Sequence, residues 1–201
     1  PAIENHSRSI TVGSFNNYTK LTDDTSCLWA RLMNKIPESR LVLKSRQVID
    51  REVSQNIIKL LEKNGVGQNR VDLVGRIGSR HDHLAFYNKI DIALDTFPYN
   101  GTTTTCEALL MGVPVVTRCG SLHAGRVGAS LLSALKRYEW IARQEDQFVD
   151  IAIDLAAKRP AKKEFRASFH LSRLCDSKRF AHSFEQTLRR LWFNHSVIET
   201  R

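Results

Sequence analysis

Residues 90–117 read IDIALDTFPYNGTTTTCEALLMGVPVVT, and this stretch decides the fold. Ile92–Leu94 is a short apolar run of the kind that forms a buried strand. Pro98 and the pair Asn100-Gly101 break the chain, and Thr102–Thr105 open an apolar segment that runs to Gly112 with helical spacing. Val113–Thr117 is a second short strand. A strand that hands over to a helix through a hydroxyl-rich turn leaves the first N–H groups of the helix free, an arrangement suited to phosphate.

Outward from this stretch the same alternation repeats. Ser9–Phe15, Arg40–Lys44, Val71–Val74, Asp91–Leu94, Val113–Thr117 and Glu139–Ala142 read as strands of the length that buried parallel strands take. Thr22–Lys35, Arg51–Asn64, Arg80–Ile90, Thr103–Met111 and Leu122–Leu135 carry helical spacing between them. Regular β-then-α alternation predicts an α/β fold with a doubly wound parallel sheet, whose ligand lies at the carboxyl ends of the strands. After Gln144 the strands stop. Residues 1–143 therefore form the sheet-bearing lobe, and residues 144–201 a helical tail interrupted at Pro160. Phe180, Phe184, Leu188, Leu191 and Trp192 make an apolar stripe on its last helix, which either packs on its own domain or docks onto a partner domain.

The threonine run has two readings. Thr104 and Glu107 stand in the S/T-x-x-E spacing of a capping box, which accounts for one threonine and the glutamate. The remaining threonines are β-branched, poor helix formers, and only one residue can be the N-cap. Extra hydroxyls at a helix start point to a ligand. On a helix Glu107 shares a face with Thr103 and Thr104, one turn deeper, where its carboxylate would repel phosphate and accept hydrogen bonds from sugar hydroxyls. Phosphate plus ribose satisfies both groups.

Gly13–Lys20, GSFNNYTK, is a polar turn after the first strand, and Lys20 is its cation for a diphosphate. Ser79-Arg80-His81-Asp82-His83 begins another helix after the third strand. His81-x-His83 invites a metal reading, but at a helix start the two rings diverge by roughly 200° and no third ligand is near in sequence, so no metal is expected.

Composition narrows the classes. With 201 residues, 42% hydrophobic and 25% charged, the chain suits one good core. No run approaches the roughly 20 apolar residues of a membrane helix, and the start, PAIENHSRSI, lacks an initiator Met and a signal-peptide pattern, as expected of a piece of a longer protein. Cys27, Cys106, Cys119 and Cys175 have no C-x-x-C spacing, so neither zinc nor a disulfide framework is indicated and a cytoplasmic location is expected. The net charge of +9 sits mostly in residues 158–201, with 11 Lys+Arg against 4 Asp+Glu. That tail lacks interleaved aromatic platforms and matches no nucleic-acid module, so its charges read as a solvated helix face.

Taken together, ALDTFPYNGTTTTCEALLMGVPVVT and the following GSLHAGRVGASLL resemble the C-terminal catalytic half of the O-linked N-acetylglucosaminyltransferase/SPINDLY family, especially its bacterial members that follow tetratricopeptide repeats. FNNYTK at Phe15–Lys20, NRVDLVGR at Asn69–Arg76 and CDSKRFAHSFEQTLRRLW at Cys175–Trp192 extend the likeness over nearly the whole chain. The resemblance implies a Rossmann-like C-terminal lobe of a two-lobed GT-B glycosyltransferase that binds the UDP part of UDP-GlcNAc. By motif, it implies that Asn17 and Lys20 contact the diphosphate and that Thr103 and Thr104 cap its oxygens. It likewise implies that Glu107 holds the ribose hydroxyls, with His83 against the uracil and Arg80 close to the ribose. Family enzymes often have Asp at the position of Glu107, and in the animal enzymes a histidine stands where this chain has Thr102.

The implied activity is inverting transfer from a UDP-sugar to a protein acceptor without metal or other cofactor, with Lys20 stabilising the leaving group. No catalytic base is assigned on this chain. The implied partners are a first lobe and tetratricopeptide repeats outside it, without which the lobe alone is expected to be inactive. A competing expectation is a non-catalytic interaction module of a repeat-containing scaffold protein.

Overall fold

The computed structural model describes residues 9–199. Six parallel strands form one sheet: β1 (Thr11–Ser14), β2 (Arg40–Lys44), β3 (Val71–Val74), β4 (Ile92–Leu94), β5 (Val115–Arg118) and β6 (Ile141–Ala142). Eight α-helices are formed among the described residues: α1 (Asp23–Lys35), α2 (Arg51–Lys63), α3 (Arg80–Ala85), α4 (Thr103–Leu110), α5 (Val127–Ala134), α6 (Glu145–Lys158), α7 (Lys162–His170) and α8 (Ser177–Glu199). The strand order is β3-β2-β1-β4-β5-β6, the doubly wound order expected from the alternation. Val12 pairs with Leu41 on one side and Ile92 on the other, which makes the β1/β4 junction the point where the order reverses.

The helices begin where short polar side chains supply caps. Thr22 accepts the Thr25 N–H at the start of α1, and Asp50 accepts the N–H groups of Glu52 and Val53 at the start of α2. Helix α1 packs against α2 and α6, and α4 against α5 and α7, so two groups of helices flank the sheet. Trp29, Leu32 and Met33 of α1, Ile57 and Leu61 of α2, Leu109 of α4 and Phe148 of α6 are buried against the apolar strands. Each such side chain contributes about 1.5–3 kcal/mol by leaving water.

The expected boundaries shift where backbone donors are committed elsewhere. Val113 N–H closes the end of α4 on Ala108, and Pro114 has no N–H, so β5 begins only at Val115. Arg80–Ile90 is not one helix: α3 tightens into a 3-10 turn over Phe86–Lys89. Leu122–Leu135 likewise divides into a 3-10 turn at His123–Gly125 and α5, and Gly125 lets that turn approach the Pro98 carbonyl oxygen, which an added Cβ would meet at 2.8 Å. The last strand is only Ile141–Ala142, preceded by a 3-10 turn.

In the tail, α7 buries Phe165 and Phe169, with the Phe165 ring 5.0 Å from Trp140. Gly112, at φ +78°, lies against the backbone of Lys162, and a side chain there would strike that carbonyl. The stripe on α8 is different. Phe180, Phe184, Leu188, Leu191 and Trp192 are all exposed, since α8 meets the rest of the chain mainly through the turn at Arg173–Cys175.

Candidate functional site

The loops after β1 and β4 meet at the strand-order reversal, where Ser14, Asn16, Asp95, Thr104 and Thr105 line a small cleft. Thr102 is the N-cap of α4, and its side chain caps nothing. The first helical bond runs from Cys106 N–H to the Thr102 carbonyl at 3.0 Å, so the N–H groups of Thr103, Thr104 and Thr105 precede the ladder. With Thr102 as N-cap, Glu107 stands five positions into the helix. The capping box expected between Thr104 and Glu107 does not form, because it would need Thr104 as the N-cap.

The four hydroxyls are not equivalent. Thr105 is buried and donates to the Gly101 carbonyl at 3.0 Å, while Thr104 donates to Asn16 Oδ1 at 2.7 Å and so joins the two loops. Thr102 and Thr103 are exposed. Gly101 permits the close approach: a Cβ there would lie 2.5 Å from Thr104 Oγ1 and 2.7 Å from Asn16 Oδ1.

Asp95 anchors the loop from below. Its Oδ1 accepts the N–H groups of Gly101 at 2.7 Å and Thr96 at 2.9 Å, and its Oδ2 accepts the Thr117 hydroxyl at 2.7 Å. Burial raises this carboxyl to about 6, against the pull of those hydrogen bonds and of the Lys20 charge. Lys20 donates to the Asn100 carbonyl at 2.9 Å and lies 4.0 Å from the centre of the Tyr99 ring. Burial lowers its ammonium below the ordinary lysine value, and Asp95 acts in the opposite sense. Asn17, exposed beside it, accepts at Oδ1 from the Thr19 N–H and from Gln47 Nε2, which leaves its amide NH2 as the donating end.

One turn deeper, Glu107 Oε2 lies 2.9 Å from His83 Nε2 and 3.1 Å from the Tyr87 hydroxyl. Burial and the neighbouring carboxylate push the Tyr87 hydroxyl far above the ordinary tyrosine range, so it keeps its one proton to share between Glu107 Oε2 and the Thr104 carbonyl, 3.2 Å away. His83 Nδ1 lies 2.6 Å from Lys44 Nζ at the end of β2. Burial lowers the Lys44 ammonium, while Glu107 raises it.

Of the expected residues, the structure joins His83 directly to Glu107, ties Thr104 to the β1 loop through Asn16 and Lys20 to the β4 loop through the Asn100 carbonyl, and leaves Asn17 and Thr103 exposed. Arg80 stands apart, exposed in the first turn of α3, with no hydrogen bond or ion pair among the described residues. His81 projects to solvent beside Asp82, 3.3 Å away, while His83 turns inward. Among the described residues no group of three His, Cys, Asp or Glu is arranged to hold a metal ion, and no helix is long and apolar enough to cross a membrane.

Asn16, Lys44, Tyr87 and Asp95 are the members that sequence reasoning missed. Asp95 had a signal, an acid that closes an apolar strand just ahead of a turn. Lys44 had none, since a lysine at a strand end ordinarily reaches water.

A family model described as glycosyl transferase family 41 matches residues 5–186. The chain belongs to glycosyl transferase family 41. It is 43% identical over 199 residues to a barley (Hordeum vulgare) protein named probable UDP-N-acetylglucosamine--peptide N-acetylglucosaminyltransferase SPINDLY, covering 97% of this chain and 21% of that protein. The Caenorhabditis elegans UDP-N-acetylglucosamine--peptide N-acetylglucosaminyltransferase is 27% identical over 92% of this chain and 16% of its own length. A solved variant of the Thermobaculum terrenum O-GlcNAc transferase superposes with a TM-score of 0.85 at 35% identity, over 92% of this chain and 36% of that one. The C-terminal domain of a group 1 glycosyl transferase from Francisella tularensis, 14% identical with a TM-score of 0.55 over 80% of each chain, shares the fold alone. This family 41 chain therefore spans about a fifth of the length of its barley relative and about a third of the bacterial enzyme.

Proposed function

We propose that this chain is the donor-binding, C-terminal lobe of an inverting glycosyltransferase that transfers N-acetylglucosamine from its UDP-sugar to a protein. The observation that carries the reading is the uncapped start of α4 with Lys20 on one side and Glu107 one turn deeper, cationic and N–H donors next to a lone carboxylate. Donors at the mouth match a diphosphate, and the carboxylate behind them matches ribose hydroxyls.

In the reaction, negative charge grows on the departing nucleoside diphosphate. Lys20, the N–H groups of Thr103 and Thr104 and the amide of Asn17 are placed to offset that charge, without a metal. His83 supplies a flat surface for uracil, and Arg80 closes over the ribose from α3. The nucleotide-sugar lobe lies within residues 1–143, and helices within residues 144–201 pack on that lobe or on a first lobe outside this chain, which holds the acceptor and the catalytic base. Tetratricopeptide repeats ahead of that lobe would present the protein acceptor, in the cytoplasm where the four free thiols stay reduced.

Calorimetric titration with UDP tests the assignment. The chain should bind UDP, and Lys20→Ala together with Thr104→Ala should abolish measurable binding. Unchanged affinity in the double variant removes the site assignment, and tighter binding of GDP than of UDP removes the uracil reading.

The exposed stripe on α8 favours a second reading, an interaction module of a scaffold protein that has lost catalysis. Amide resonances of Thr103 and Glu107 that stay fixed at millimolar UDP would support it over the donor lobe.

A further inference from the structure

Lys44 is an anomaly at the end of β2. The three residues before it, Leu41, Val42 and Leu43, are buried and apolar, and Lys44 itself is only 8% exposed. A buried ammonium costs several kcal/mol unless its charge and all its donors are answered. Among the described residues no carboxylate touches it. Its one hydrogen-bond partner is His83 Nδ1 at 2.6 Å, with the Phe15 ring face 5.4 Å away. The nearest answering charge is Glu107, reached only through the imidazole.

The chemistry of the three groups leaves one consistent arrangement. An ammonium has three donors and no acceptor, so His83 Nδ1 must offer a lone pair. The ring proton then sits on Nε2, which donates to Glu107 Oε2 at 2.9 Å. The Tyr87 hydroxyl donates to that same oxygen. Oε2 is thereby fully engaged, and Oε1 has no protein partner among the described residues.

We infer that Lys44 is a positioning residue for nucleotide binding: its ammonium holds His83 as the neutral Nε2–H tautomer, which fixes Glu107 with one oxygen tied down and the other open to a ligand's vicinal hydroxyls. This rests on the reading of Glu107 as the ribose ligand. Lys44 acts through His83 and need not touch the nucleotide. Without it, Nδ1 loses its donor and no group fixes which ring nitrogen carries the proton, so Glu107 loses its assured N–H partner and its open oxygen is no longer held in place.

Nitrogen NMR of the imidazoles at neutral pH, with His83 assigned by the loss of its signals in His83→Gln, tests this on the ligand-free chain. The wild type should show one lone-pair nitrogen, Nδ1, and one N–H nitrogen, Nε2. In Lys44→Met the two nitrogen signals should move towards each other, as the proton exchanges between Nδ1 and Nε2, and Lys44→Arg, which keeps a donor, should retain the wild-type pair. UDP affinity should fall about tenfold in Lys44→Met and stay within about threefold in Lys44→Arg, as loss of one charge-assisted hydrogen bond implies. A wild-type ring with Nδ1 protonated overturns the inference, as does an unchanged signature or unchanged UDP affinity in Lys44→Met. Should Lys44→Met fail to fold, the wild-type signature and Lys44→Arg still decide. The signature is recorded without nucleotide, so it settles the Lys44–His83 relationship even if the wild type takes no UDP, an outcome that sinks the donor-lobe reading instead.

Discussion

The carboxylate of Asp95 receives the backbone N–H of Gly101 at 2.7 Å, and through that bond the end of β4 holds the start of α4. Its other oxygen takes the Thr117 hydroxyl from β5 at 2.7 Å, so one buried acid ties two strands and the turn ahead of α4 together. Asp95, buried beneath the turn, has a structural role: it holds the loop that leads into α4.

That role carries a pH signature. Burial raises Asp95 to about 6 in the fold, from an ordinary value of 3.8, so the folded chain binds more protons than the unfolded chain between those limits. Stability from this group therefore falls as pH rises from about 4 to about 6, by up to about 3 kcal/mol, and is flat above that window. Urea denaturation of the wild type and Asp95→Asn measures it as the difference between the two. The wild type's advantage should shrink over that interval, and a difference independent of pH would count against the raised carboxyl.

Gly101→Ala tests the closeness of the two loops. The new Cβ would stand 2.5 Å from Thr104 Oγ1, 2.7 Å from Asn16 Oδ1 and 2.9 Å from Thr105 Oγ1, so the Thr104–Asn16 hydrogen bond must open. UDP binding should weaken by about tenfold or more, equivalent to about 1.4 kcal/mol of lost contact. Calorimetry with UDP checks this, and wild-type affinity in the variant would mean that the turn does not shape the pocket.

Lys20→Met separates phosphate binding from base and ribose binding. Loss of a charge-assisted contact of about 1.5–3 kcal/mol should weaken UDP by about 10- to 100-fold while leaving uridine, which has no phosphate, unaffected. Salt should weaken UDP binding to the wild type more than to the variant, because screening acts on the charge that has been removed. Equal losses for UDP and uridine would place Lys20 in a structural role, through its bond to the Asn100 carbonyl.

How much of this was legible before folding depends on how far apart the partners lie. Thr103, Thr104 and Glu107 fall within five residues on one helix, so their common face could be read from helical spacing alone. The same spacing misled at the cap: Thr104-x-x-Glu107 has the right letters, but the turn held by Asp95 makes Thr102 the N-cap, two residues ahead of Thr104. Doubly wound order followed from alternation, and the cleft followed from the order. Lys44 and His83 are 39 residues apart and meet because β2 and α3 converge beside the same cleft, a relation that no local pattern encodes. Arg80 shows the converse. It stands three residues before His83, yet it is exposed and lacks a partner among the described residues.

The two tail helices should respond oppositely to truncation. Phe165 on α7 is 5% exposed and packs at 5.0 Å on Trp140, with the Arg137 guanidinium 5.4 Å from its ring. Phe165→Ala empties part of the core under α4 and should cost about 3–5 kcal/mol in urea denaturation. Phe184 on α8 is 55% exposed and stacks on Phe180, one turn away at 5.9 Å between ring centres. Phe184→Ser removes little buried area and should change stability by no more than about 0.5 kcal/mol. Equal losses in the two variants would show that the α8 stripe is covered in solution. The expected contrast, a large loss on α7 beside little on α8, follows from the burial of Phe165 and the exposure of Phe184.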